Sequence, residues 1–206
     1  MSEVMAPGDP GQADLRCRII DSALRLGHER GWDGVHLHDL AACLGIGLAD
    51  IARHFADKDA IAEAWFARAD AALLAAPQAA GWSLLSPRER LQRAILAWLQ
   101  ALAPHRQLAA EMLRYKLQPE HVHLQVQGVL RVSRTVQWIR EAALLPATGW
   151  RRECEEAALT AIYLSSFAGW LRDDSPGARH SQQRLDRLLA GAEWLAGWFA
   201  ERERGG

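Results

Sequence analysis

Apolar residues recur at helical spacing through most of the chain, and no stretch alternates with the period of two that a half-buried strand requires. From Asp14 to Arg30 the positions Leu15, Ile19, Ala23 and Leu26 define one face, and Gly31 follows directly, which predicts a first helix ending there. A short run of Leu37, Leu40, Ala41 and Leu44 stops at Gly45. A second run, Leu48, Ile51, Ala52 and Phe55, starts after Gly47 and stops before Asp57. Two short helices joined by a glycine turn fit a helix-turn-helix and any compact helical corner equally well.

Asp57 is placed to cap a fourth helix running to Ala76, and Pro77 to Ser86 reads as a break. Ser86 to Glu89, SPRE, has capping-box spacing with proline in the first turn of a fifth helix, which carries Leu91, Ile95, Trp98, Leu99 and Leu102. Pro104 and Pro119 bracket a sixth helix, and Glu120 to Leu144 makes a seventh. The uncharged run from Ala157 to Leu171 predicts an eighth helix buried on more than one side, shorter than the roughly 18 apolar residues of a membrane span. After the breaking segment DDSPG, a last helix carries Leu185, Leu188, Leu189, Ala192, Leu195 and Phe199 on one stripe. The expected architecture is all-α with nine helices: a disordered tail at 1–12, a three-helix head at 13–56, and a six-helix body at 57–206.

Composition adds little to this and removes several alternatives. With 50% hydrophobic and 24% charged residues and a formal net charge of −1, bulk charge selects no partner. The head segment 13–60 is slightly acidic, with eight acidic against six basic side chains. Cys17, Cys43 and Cys154 are odd in number and far apart, which suits a reducing cytoplasm and not a disulfide framework. The amino terminus has neither the basic start nor the apolar run of a secretory signal.

Candidate chemistry is sparse. GIGLAD at Gly45 to Asp50 begins like a dinucleotide fingerprint, but Asp50 holds the third glycine position and no strand precedes it. His121 and His123 point to different sides of a helix, so no metal site is expected. No serine, cysteine or carboxylate sits in a recognisable catalytic context, so no catalytic residues and no cofactor are expected, and an enzyme is the least supported class. Arg106, Arg114, Lys116, Arg131, Arg134 and Arg140 read mostly as a solvated face, with an anionic ligand head group as the less favoured alternative partner.

The segment IIDSALRLGHERGWDGVHLHDLAACLGIG followed by IARHFADKDAI, from Ile19 to Ile61, resembles the TetR family of bacterial transcription regulators. Its most specific element is His54 and Phe55, then Lys58, then the apolar Ile61. The resemblance implies a homodimer with a DNA-binding head, a ligand-binding body, and an interface made by the last two helices. Departures fall on the reading surface. His36 stands where Ser or Thr commonly caps the second helix, and Gly47 where Ser caps the recognition helix. Leu48 replaces a frequent Lys, Ala52 replaces a phosphate-contacting Tyr, Asp50 adds a negative charge, and Gly27 replaces a core Phe. A second resemblance lies in AIYLSSFAGWLRDDSPG and, more faintly, in Pro104 to Glu120. Both are similar to TetR-fold lipid-binding proteins of ubiquinone biosynthesis that no longer act as repressors.

On this basis DNA contact is expected at His36, His38, Gly47, Leu48, Ala49, Arg53, His54 and Lys58. Arg53 and Lys58 would meet phosphates, and His36 or the amides of Gly47 and Leu48 would stand in for the missing caps. Binding should be weak and pH-sensitive, because histidines with pKa near ~6.5 replace fixed charges. Trp98, Met112, Tyr115, Trp138, Tyr163 and Phe167 would line a cavity for an apolar or amphipathic molecule, or else form plain core. The dimer would pack Glu153 to Leu171 and Gln182 to Phe199 into a four-helix interface through Ile162, Ser166, Gly169, Leu185, Leu188, Leu189, Ala192 and Leu195. The functional expectation is a repressor of a double-stranded DNA operator released by a small apolar ligand. The alternative is a lipid- or quinone-precursor-binding protein that has lost DNA binding.

Overall fold

A computed structural model describes residues 10–116 and 122–204, with side-chain environments over 11–116 and 128–194. The described residues form helices α1 (Pro10–Arg30), α2 (Leu37–Leu44), α3 (Leu48–His54), α4 (Lys58–Ala75), α5 (Pro87–Leu102), α6 (Arg106–Lys116), α7 (Val122–Ala142), α8 (Gly149–Trp170) and α9 (Arg179–Arg204), with no strand among them. Nor is any described helix long and apolar enough to cross a membrane. The expected tail at 1–12 lies outside the described residues up to position 9, and residues 10–12 form the opening turn of α1. Proline tolerates that place because a first-turn N–H has no helical partner. Both α8 and α9 also start earlier than their hydrophobic stripes suggested, at Gly149 and Arg179.

Two compact units emerge, one running through Ala67 and taking in Gln107–Tyr115, the other made of Arg68–Arg106 and the chain from Lys116 onward. The boundary expected at 57 thus falls inside the first unit. In that unit Ile19, Ala23, Trp32, Leu40, Ile51, Phe55, Ile61 and Leu108 are almost wholly buried. Each large apolar side chain so placed contributes about 1.5–3 kcal/mol. Most of α6 belongs with the head because Leu108 packs against Gly27, where a Cβ would come within 2.8 Å of the leucine methyl groups.

The second unit has its core in α5, α7, α8 and α9, where Ile95, Trp98, Leu102, Ile139, Tyr163, Phe167 and Leu185 are buried. Local chemistry sets the ends of these helices. Ser86 and Glu89 close the capping box of α5, with Glu89 Oε2 accepting from the Ser86 N–H at 2.8 Å and the Ser86 hydroxyl accepting from the Glu89 N–H at 3.3 Å. The Ser86 N–H and hydroxyl, each donating to Glu89 Oε2 at 2.8 Å, hold the Glu89 carboxyl below its ordinary pKa. Between α4 and α5 the indole of Trp82 donates to the Ala142 carbonyl at 2.8 Å, tying that connection to the end of α7.

The turn from α8 to α9 is built around Asp173. One carboxylate oxygen accepts from the Ser175 N–H and hydroxyl, and the other accepts from the N–H and hydroxyl of Ser181, both at 2.7 Å. Four donors on one carboxylate hold its pKa well below the usual range.

Candidate functional site

The head places a short helix on the surface through purely local means. Gly45 ends α2 in the left-handed conformation (φ 66°, ψ 32°), and its N–H and that of Ile46 return to the carbonyls of Ala42 and Ala41. A residue with a Cβ would be strained there. Gly47 then caps α3 with extended backbone and no side chain, and Asp50 Oδ2 accepts from its N–H at 2.9 Å. Ile51 and Phe55 anchor α3 in the core. Leu48 is 53% exposed, and Ala49, Ala52 and Arg53 are exposed beside it.

His36 sits at the amino end of α2 with extended backbone, and its side chain makes no capping bond. Its ring stacks on that of His38, with centroids 5.3 Å apart and planes 10° from parallel, and both residues are exposed. His54, half-buried at the end of α3, offers its carbonyl to Arg16 at 2.9 Å, while the Arg16 guanidinium lies 4.3 Å over the Phe55 ring. The structure therefore gathers His36, His38, Gly47, Leu48, Ala49, Arg53 and His54 on or beside the α2–α3 surface.

Charge within this surface is partly spent. Arg53 pairs with Asp50 at 2.8 Å, one turn back on the same helix. Lys58 turns inward: its ammonium donates to the Trp32 carbonyl at 3.1 Å and lies 4.8 Å from the Tyr115 ring centroid and 5.6 Å from that of Trp32. Burial lowers its pKa, with Asp33 and Asp59 opposing that shift. In this position Lys58 serves the head as a strut and presents no free cation to a phosphate.

The residues expected around a body cavity separate. Met112 and Tyr115 belong to the first unit, where Met112 is buried and Tyr115 meets Lys58. Trp98, Tyr163 and Phe167 do come together in the second unit. Trp98 contacts each of the other two edge-on with centroids 5.2 Å apart. Trp138 is 40% exposed on α7.

The aromatic trio surrounds a polar knot that periodicity alone did not reveal. Asp70 accepts from the Trp98 indole at 2.8 Å, from the Thr135 hydroxyl at 3.0 Å and from Arg131 at 2.9 Å. Burial, together with the Asp70 charge, drives the Tyr163 phenol far above its ordinary pKa. The one advance signal was a lone aspartate on the apolar side of a helix.

Of the residues expected at a dimer interface, Ile162, Ser166, Leu185 and Leu189 are buried within their own protomer, Ser166 with its hydroxyl unpaired. Gly169, Leu188 and Ala192 are half-buried, and the Leu195 side chain lies outside the described residues. Among the described residues, the apolar groups left outward on these helices include Trp150, Ala157, Ala158, Ala161 and Leu164 on α8 and Trp194 on α9.

A family model described as bacterial regulatory proteins, tetR family, matches residues 19–65. A TetR transcriptional regulator from Nitrosomonas europaea ATCC 19718 is 42% identical over 88% of this chain and 99% of its own length, with a TM-score of 0.79 between the structures. A TetR-like transcriptional regulator from Rhodococcus sp. RHA1, 20% identical over 94% of this chain and all of its own, shares the fold with a TM-score of 0.53. No curated protein matches the sequence.

Proposed function

The chain belongs to the TetR family of bacterial transcriptional regulators, and from that premise we propose that it is a repressor. Two copies hold their α3 helices at successive major grooves and leave the operator when a small apolar or amphipathic molecule occupies the body. The observation that carries this reading is the outward face of α3. A helix of seven residues, anchored by Ile51, presents Leu48, Ala49, Ala52 and Arg53 to solvent without a covering element of its own unit. Small side chains at 49 and 52 allow the helix to approach base edges closely, and Leu48 suits a thymine methyl group. Pairing of two chains through α8 and α9 would cover Leu164 and Trp194, which are 43% and 69% exposed in the single chain.

A second reading, a lipid- or quinone-precursor-binding protein that no longer binds DNA, draws support from the spent charge of the head. Asp50 neutralises Arg53, and Lys58 faces inward, so both cations expected at phosphates are engaged elsewhere. Capture of sheared genomic DNA on the purified protein separates the two. Enrichment of fragments sharing an inverted repeat, at moderate salt, supports the repressor. Absence of retention even at low salt supports the lipid-binding alternative and ends the repressor reading.

A further inference from the structure

The second unit contains a cleft of about 580 Å³ that none of the expected ligand-binding residues lines. Its size lies within the usual range for small-molecule sites. Leu96, Leu99 and Trp170 supply an apolar floor from α5 and α8, and Ala103 and Ala178 continue it. Serine hydroxyls and the amides of Gln100 and Gln182 edge it. Among the described residues lining the cleft, Arg106 is the one charged side chain.

Arg106 is held in a way that leaves it available to an anion. Its guanidinium donates to the carbonyl of Asp173, which fixes the arm, and pairs at 3.0 Å with the carboxylate of Asp174, whose side chain is 94% exposed. The neighbouring Asp173 carboxylate takes its hydrogen bonds from Ser175 and Ser181 and makes none with the Arg106 guanidinium. An exposed ion pair contributes little and exchanges readily with solvent, so an incoming carboxylate need displace only Asp174. Guanidinium over an apolar floor is complementary to a molecule with an apolar body and a single anionic head.

We infer that this cleft binds an amphiphilic carboxylic acid, with the carboxylate on Arg106 in place of Asp174 and the apolar body against Leu99 and Trp170. The inference rests on the reading that a small molecule controls DNA release, and it names the site and the class of that molecule. Arg106 is also the first residue of α6. Farther along the same helix, Leu108 packs on Gly27 and Glu111 accepts from the Trp32 amide.

The test is calorimetric titration of the full chain with decanoate, decanol and decylammonium, each below its micelle threshold. Decanoate is expected to bind about tenfold or more tightly than decanol, since a charge-assisted pair is gained. Arg106→Gln should bring that ratio to about one. Asp174→Asn, a fully surface change, should tighten decanoate about two- to fivefold and leave decanol unchanged, because it removes a competing exposed partner. Ala103→Trp, which fills the cleft from an exposed position, should abolish binding of both.

Equal affinity for decanoate and decanol, preference for decylammonium, an Asp174→Asn protein with unaltered decanoate affinity, or undiminished binding to Ala103→Trp would each overturn the site. Retention of genomic DNA measured on the same samples separates this from the broader reading. Decanoate bound through Arg106 without loss of DNA would uphold the cleft and defeat ligand-controlled release. DNA released by another molecule, with decanoate unbound, would do the reverse.

Discussion

Glu111, in the middle of α6, accepts a hydrogen bond at 2.9 Å from the backbone N–H of Trp32, a residue 79 positions earlier. The Trp32 amide follows the left-handed Gly31 (φ 76°), so it has left the ladder of α1 and depends on a partner from elsewhere. Glu111→Ala should destabilise the protein by about 1–3 kcal/mol, because a partly buried donor loses its acceptor. Glu111→Gln keeps a carbonyl oxygen and should recover most of that loss. Urea unfolding of the two variants checks this, and equal midpoints would show that the acceptor is not what matters.

Asp50 both caps α3 and neutralises Arg53. Asp50→Asn retains an acceptor for the Gly47 N–H and removes the charge, so Arg53 is released to a phosphate while α3 stays intact. DNA retention at low salt should rise, and the slope of log affinity against log salt should steepen by about one per subunit. A steeper slope with unchanged thermal stability is the expected pair of results.

Asp70 is the common acceptor for an indole, a hydroxyl and a guanidinium in the core of the second unit. Its exchange for alanine removes one member of a buried ion pair, which typically costs about 3–5 kcal/mol. Asp70→Asn, with one acceptor left, should cost less. Denaturant midpoints order the three proteins, and near-ultraviolet circular dichroism should show loosening of the Trp98, Tyr163 and Phe167 cluster in the alanine variant.

The Asp173 carboxyl has a folded-state pKa depressed by its Ser175 and Ser181 bonds. A group of this kind binds protons more weakly folded than unfolded, so its stabilisation is complete above the ordinary aspartate pKa and is lost as pH falls through the folded value. The melting temperature of the parent protein should therefore decline below about pH 4. Asp173→Asn should lower the melting temperature at neutral pH and flatten that acid decline. An identical acid limb in both proteins would remove Asp173 as its cause.

Leu164 stands 43% exposed on a stretch of α8 that carries no charge. If α8 and α9 pair two chains, Leu164→Asp buries an unpaired carboxylate in the interface and should yield monomers by sedimentation, while the single-chain fold remains. A dimer that survives the change would move the interface to another surface.

Helix ends and the turn of the head were legible in the sequence because their causes lie within a few residues. Gly45 supplies a left-handed stop, Asp57 accepts from the Ala60 N–H at 2.7 Å, and Ser86 with Glu89 forms a reciprocal cap, each where its local pattern placed it. Helical periodicity equally identified the inward side of α5 and α9, whereas α8, expected to be buried on more than one side, leaves Ala157, Ala161 and Leu164 exposed in the single chain. It could not say what each inward side meets. The stripe with Leu185 and Leu189 is covered by its own chain, and the large apolar residues left outward on the described parts of α8 and α9 are Trp150, Leu164 and Trp194.

Lys58 shows the same limit in one side chain. Its neighbours in sequence are Asp57 and Asp59, and nothing among them directs a long flexible arm inward. Trp32, 26 positions earlier, and Tyr115 on α6 do so, by offering a carbonyl and two aromatic faces. The Asp70 knot and the Arg106 cleft depend likewise on groups that loop closure brings together from separate helices. Sequence by itself determined the elements and those ends that carry a local cap, since propensity, capping and periodicity act over one or two turns. Only the tertiary structure decided which charges are spent inside the protein and which remain for a partner, because that depends on contacts between residues distant along the chain.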